Sequence, residues 1–116
     1  MTEMYPPSTR ELAKLRRSLA TDQQSAFDAF SKAVFADGAL PAKIKQIIAV
    51  AVAHVTQCPY CINGHTAAAL RAGATAQELM EAVWVAAEMR AGAAYAHSTL
   101  MLTKLGEESA GGPAGG

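Results

Sequence analysis

The segment Cys58-Pro59-Tyr60-Cys61-Ile62-Asn63-Gly64-His65 holds both cysteines of the chain, three residues apart, with a histidine four residues after the second. On a helix, spacings of three, four and seven put Cys58, Cys61 and His65 on one face. That face joins a dithiol to a group that takes or gives a proton near neutral pH. Only a thiolate attacks a peroxide oxygen or a disulfide efficiently, and an unassisted cysteine of pKa ~8.5 is mostly protonated at neutral pH. His65, one turn beyond Cys61, is placed to deprotonate it, while Cys58 falls at the positive end of the helix dipole. After attack on a peroxide, the second thiol resolves the sulfenic acid, and an external dithiol then reduces the disulfide.

Two other roles fit the same residues. A CxxC pair and three histidines supply enough ligands for zinc, although the chain has no second CxxC and no HxxxH. Two helical cysteines also serve simply as small buried residues. His54 lies on an otherwise apolar helix and suits packing as well as catalysis; His97 suits a structural role or a subunit contact. Glu81 and Glu88, seven residues apart, form either a solvated stripe or a source of a catalytic carboxylate.

The rest of the chain bounds these possibilities. Its 116 residues suit one domain with a modest core. Ten basic and ten acidic residues cancel, which speaks against a nucleic-acid groove or a membrane surface, since both want a basic excess. The N-terminus lacks the basic start and apolar run of a signal peptide, and the apolar stretch from Ile47 to Val55 is too short to span a bilayer. A cytoplasmic protein is the expectation, and there a CxxC pair is reduced, catalytic or metal-bound more often than a static staple. The dithiol chemistry itself needs no cofactor.

The elements that must position the dithiol read as about six helices. Ser8-Thr9-Arg10-Glu11 and Thr21-Asp22-Gln23-Gln24 are capping-box patterns, predicting helices from about Thr9 to Leu19 and from Thr21 to near Gly38. Pro41 suits the first position of a third helix, where Ile44, Ile47, Ile48, Ala51, Val52 and Val55 trace a broad apolar stripe. Cys58, preceding a proline, is biased away from helical angles and caps a fourth helix that begins at Pro59 and ends at Gly73. Thr75-Ala76-Gln77-Glu78 opens a fifth through about Met89, and Gly92 bends or breaks it before a last helix to Leu105. Residues 1–37 thus carry two helices, 38–105 the core, and 106–116 a tail without apolar anchors that is expected to be disordered. About half the residues are apolar (51%) and only 17% charged, and small residues crowd the segment from Ala82 to Ala96. Both features favour an oligomer.

From Gly38 to about Leu102 the chain resembles the alkylhydroperoxidase AhpD-like, carboxymuconolactone decarboxylase superfamily. The resemblance lies in Leu40-Pro41-Ala42-Lys43-Ile44-Lys45-Gln46-Ile47-Ile48-Ala49-Val50-Ala51-Val52-Ala53, in Cys58-Pro59-Tyr60-Cys61 and His65, in Leu70-Arg71-Ala72-Gly73-Ala74-Thr75 with Glu78, and in the small-residue helix ending Tyr95-Ala96-His97. It implies an all-α subunit in a homotrimer or homohexamer. It also implies a redox-active CxxC that reduces hydroperoxides or disulfides, recharged by an external dithiol of lipoyl or thioredoxin type. By resemblance, Cys61 attacks and Cys58 resolves; the helix dipole alone favours the reverse order. The peroxidase branch carries a glutamate twelve residues before the first cysteine, in a proton relay with the histidine; here that position is Gln46, which does not ionise. His54, Glu88 and His97 are the candidates to replace it. Decarboxylases of the superfamily generally lack the CxxC, which makes a lactone decarboxylase a poor match.

Overall fold

The computed structural model describes residues 4–111. Over them the chain is helical: α1 (Arg10–Leu19), α2 (Thr21–Phe35), α3 (Ala42–Thr56), α4 (Pro59–Arg71) and α5 (Ala76–Gly111). The predicted all-α class holds, with five helices in place of six. Gly92 does not interrupt α5, because Ala91, Ala93 and Ala94 beside it are strong helix formers and one glycine costs only ~1 kcal/mol. The helix also continues past Gly106 to Gly111, where the sequence predicts a structureless tail. Lys104 and Glu108 pair across that turn at 2.9 Å, the spacing that supports helix. Residues 112–116 of the predicted tail lie outside the described residues.

The helix starts show which caps form. Thr9, rather than Ser8, caps α1, its Oγ1 accepting the Leu12 N–H at 3.2 Å. The Thr21–Gln24 box does not form. A single residue, Ala20, separates α1 from α2, so Thr21 is already helical and its hydroxyl donates back to the Arg17 carbonyl at 2.8 Å. Arg17 also pairs with Asp28 across this hairpin and, by that hydrogen bond first, holds the Asp28 carboxyl below its usual value.

The third box forms reciprocally. Thr75 Oγ1 accepts the Glu78 N–H at 3.0 Å, and Glu78 Oε1 accepts the Thr75 N–H at 2.8 Å. Glu78 also reaches Lys43 of α3 at 3.1 Å. The Thr75 amide first, and then Lys43, hold the Glu78 carboxyl below its usual value. Their support is therefore present at neutral pH and is lost as pH falls through that lowered value. Thr75→Ala should lower stability by about 1 kcal/mol, as loss of an N-cap does. The check is a shifted urea midpoint with an unchanged slope.

Helix α3 is the hub, with both α4 and α5 packed on it. The buried cluster is Val50, Ala69, Ala74 and Leu79, flanked by Ile47 and Val83. Ala69 and Ala74 let the helices approach closely, which fixes the α3–α4 geometry that sets His65 beside Gln46. The core is small for the apolar content: Phe27, Phe30, Trp84, Val85, Tyr95 and Leu100 are among the large side chains left exposed. The radius of gyration is 20.8 Å, against ~13 Å for a closed domain of this length. Much of that extension is α5, in which no described residue beyond Ala86 is buried. No helix of the described residues is long and apolar enough to cross a membrane.

Candidate functional site

The turn between α3 and α4 builds the dithiol. Gln57 closes α3 in the left-handed conformation, φ 58° and ψ 48°, which reverses the chain within one residue. Cys58 follows in extended backbone as the N-cap of α4, with Pro59 as the first helical residue. Its Sγ accepts the Cys61 N–H at 3.2 Å, the role a serine or aspartate oxygen usually fills at this position. The first helical turn sets the two Cα atoms 5.2 Å apart, and the sulfurs are joined as a disulfide.

One turn further on, His65 meets α3 and α2. Its Nδ1 lies 2.8 Å from Gln46 Oε1, and its ring stacks on Phe35 with centroids 5.1 Å apart and planes 26° from parallel. An amide oxygen only accepts, so His65 donates its Nδ1–H and keeps the Nε2 lone pair free. Gln46 thus occupies the orienting position beside the imidazole, without a charge to stabilise the protonated ring. His65 and Cys61 both line a cavity of about 400 Å³ whose walls are chiefly Val34, Phe35, Ile48 and Val52. His65 and Cys61, one half of the disulfide, therefore line the same apolar space.

The other candidates do not gather there. Gln46, Val50 and His54 follow at intervals of four, but each such step rotates ~40° around a helix of 3.6 residues per turn, so eight residues give ~80°. Val50 is buried, and His54 emerges on the other side, lining a second groove of about 1130 Å³ with Tyr5, Pro6 and Tyr60. Its Nδ1–H donates to the Val50 carbonyl at 2.7 Å, as a packing histidine does. Glu88 and His97 are exposed on α5 and line neither space. Among the described residues, no three His, Cys, Asp or Glu side chains converge on a point where a metal would sit.

Of the cavity residues absent from the sequence-based site, Phe35 and Lys45 bear most on its chemistry. Phe35 reads only as the last apolar residue of α2, and its stacking on His65 is a tertiary contact with no local signal. Lys45 is not one of the positions of the apolar stripe of α3, and nothing local in the sequence marks it as lining a cavity. Across the turn, Tyr60 donates its hydroxyl to the Pro6 carbonyl at 2.7 Å and meets Tyr5 edge-on, tying the N-terminal segment to the start of α4.

The sequence profile of the carboxymuconolactone decarboxylase family matches residues 21–104, from α2 through most of α5. The chain belongs to that family. Within reach of it stands "Uncharacterized protein 4 in cox locus" of Paracoccus denitrificans, 58% identical over 102 residues that cover 88% of this chain and 91% of that one. An uncharacterized protein of Cupriavidus necator is 44% identical over 78 residues, 66% of this chain and 69% of its own. Two crystal structures share the fold. A carboxymuconolactone decarboxylase family protein from Legionella pneumophila, in its apo form, superposes with a TM-score of 0.64 at 37% identity, covering 68% of this chain and 70% of that one. A protein from Methanobacterium thermoautotrophicum gives a TM-score of 0.69 at 34% identity, covering 72% and 94%. The family includes members of differing chemistry, so for this member the disulfide and its cavity carry the functional assignment.

Proposed function

We propose that this member of the family is a thiol-dependent oxidoreductase that reduces organic hydroperoxides at Cys61. The observation that carries the proposal is the shared cavity: Cys61 and an imidazole held at Nδ1 by Gln46 line one apolar space. In the reduced protein, Cys61 gives its proton to His65 Nε2. The thiolate attacks the terminal oxygen of R–O–OH, the O–O bond breaks, and the alkoxide leaves as R–OH with the proton from His65. Cys61 is now a sulfenic acid, oxidised by two electrons. The Cys58 thiol attacks that sulfur, the S–S bond forms, and the hydroxyl departs as water with the Cys58 proton.

An external dithiol of lipoyl or thioredoxin type returns the disulfide to two thiols, and a cytoplasmic setting keeps such donors reduced. Here the position of Cys58 matters. The better-stabilised thiolate is the better leaving group, and the Cys61 N–H with the α4 N-terminus stabilises negative charge on Cys58. Attack by the donor at Cys61, with Cys58 leaving, uses the helix dipole in the reductive half of the cycle. The opposing assignments from resemblance and from the dipole then describe two different steps.

The test is steady-state consumption of cumene hydroperoxide with dihydrolipoamide as donor. Wild type should turn over slowly, because Gln46 orients His65 but adds no charge to stabilise the imidazolium. Gln46→Glu should raise the rate, by up to the ~10²–10⁴-fold span of general-base assistance. His65→Ala should abolish it, and His54→Ala should leave it unchanged. A rate that Gln46→Glu does not move would remove Gln46 from the proton path.

The neutral amide beside His65 favours a second reading, a redox switch that is oxidised once and acts through its changed conformation. Stoichiometric loss of both thiols with no turnover, even with excess dithiol, would select it.

A further inference from the structure

We propose that the cavity beside Cys61 takes an apolar substrate bearing a carboxylate, and that Lys45 is the residue that selects for it. The inference rests on the hydroperoxidase reading for its chemistry, but not for its binding test. Lys45 is the one charged residue among those lining the cavity, whose other walls are chiefly Val34, Phe35, Ile48 and Val52. It is partly buried, and among the described residues no carboxylate stands within ion-pair distance of it. The neighbouring charges are already committed. Lys43, two positions earlier, pairs with Glu78, and the Asp37 carboxylate accepts the Ala42 N–H at 2.6 Å.

The Lys45 ammonium donates to the Ala36 carbonyl at 2.6 Å, which holds it at the cavity wall and uses one of its three donors. A cation with free donors against an apolar wall gains more from an anion than the same cation in open water. The plainer role, capping the C-terminus of α2, accounts for the bond to Ala36 but not for the place of Lys45 in the lining of the cavity that Cys61 and His65 share.

The geometry also limits the substrate. Gln46, next to Lys45, bonds His65, and Cys61 lies one helical turn back along α4, ~6 Å by helix rise. A ligand that reaches both groups keeps its carboxylate several bonds away from its peroxide. A hydroperoxide along the chain of an aliphatic acid meets this condition. The acid group binds unchanged, while the peroxide is reduced to the alcohol with Cys61 oxidised and then resolved by Cys58 as above.

Two measurements separate this inference from the catalytic reading. The first is calorimetric titration of the oxidised protein with dodecanoate, below its micellar concentration, and with dodecanol. Dodecanoate should bind wild type and Lys45→Arg, and bind Lys45→Gln roughly tenfold more weakly, the scale of one charge-assisted hydrogen bond. Dodecanol should not distinguish the three. The second is turnover of a linoleic acid hydroperoxide against its methyl ester with dihydrolipoamide. Lys45→Gln should lower kcat/KM for the acid by a similar factor, mainly through KM, and leave the ester unchanged.

Lys45-dependent binding of dodecanoate with no turnover of either hydroperoxide would keep the binding site and sink the peroxidase. Turnover in which acid and ester are equal, and Lys45→Gln alters neither, would keep the peroxidase and overturn the role of Lys45. Failure of dodecanoate to bind wild type would overturn the site as well. So would equal weakening of both ligands in Lys45→Gln with a lowered melting temperature, which is the signature of a lost helix cap.

Discussion

Cys61→Ser is expected to abolish hydroperoxide turnover, by more than ~10³-fold, the scale of losing a nucleophile, and to leave no sulfenic acid that dimedone can trap. Cys58→Ser should behave differently. Cys61 still lines the cavity with His65, so one equivalent of peroxide should be consumed in a burst. The sulfenic acid then persists, because the thiol that resolves it is gone. Mass spectrometry after dimedone treatment should find the adduct on Cys61 in Cys58→Ser. If instead Cys61→Ser gives the burst and the adduct sits on Cys58, the order of attack is reversed and the dipole of α4 governs the oxidative step.

The same variants report on the disulfide. Thiol titration of wild type after mild peroxide treatment should lose both cysteines together, since one helical turn holds their Cα atoms 5.2 Å apart. Dithiothreitol should return both. Neither outcome needs a partner residue from elsewhere in the chain, because the first turn of α4 supplies the whole geometry.

How far this was legible in the sequence depended on the range of the interaction. Cys58 as the cap of α4, Pro59 as its first residue, and the Thr75–Glu78 box are each decided within four residues, and each appears as read. The Thr21–Gln24 box has the same pattern but fails, because only Ala20 separates two helices and the hydroxyl of Thr21 finds the α1 carbonyl first. Gly92 fails as a breaker because its alanine neighbours outweigh one glycine. In the site, the family resemblance brought Gln46 to attention, but its bond to His65 joins residues 19 positions apart. No local pattern gives that. His54 reads as a neighbour of the cavity by its four-residue spacing and is carried off the face by the accumulated rotation of the helix. Phe35 against His65 depends on how α2 crosses α3, which is set by packing and not by any segment alone.

The largest structural effect is expected where the chain buries its apolar surface least. Beyond Ala86, α5 runs to Gly111 without a buried residue, while Tyr95, Leu100, Met101, Leu102 and Leu105 are exposed. A helix segment of this kind is marginal in water by itself, since most helical stability comes from packing an apolar face. Tyr95, Leu102 and Leu105 recur at steps of seven and three and form such a face. We propose that its cover is the same surface of other copies, in a homotrimer or homohexamer. Sedimentation equilibrium at micromolar concentration should therefore find one of these assemblies. Leu102→Glu should dissociate it: each subunit loses ~2 kcal/mol of apolar burial, and an unpaired charge in the contact costs several more. The circular dichroism of helix should fall with dissociation, because the outer half of α5 loses its only cover. A wild type that sediments as a monomer with full helical signal would show that α5 stands without partners, and the excess of exposed apolar surface would then need another explanation.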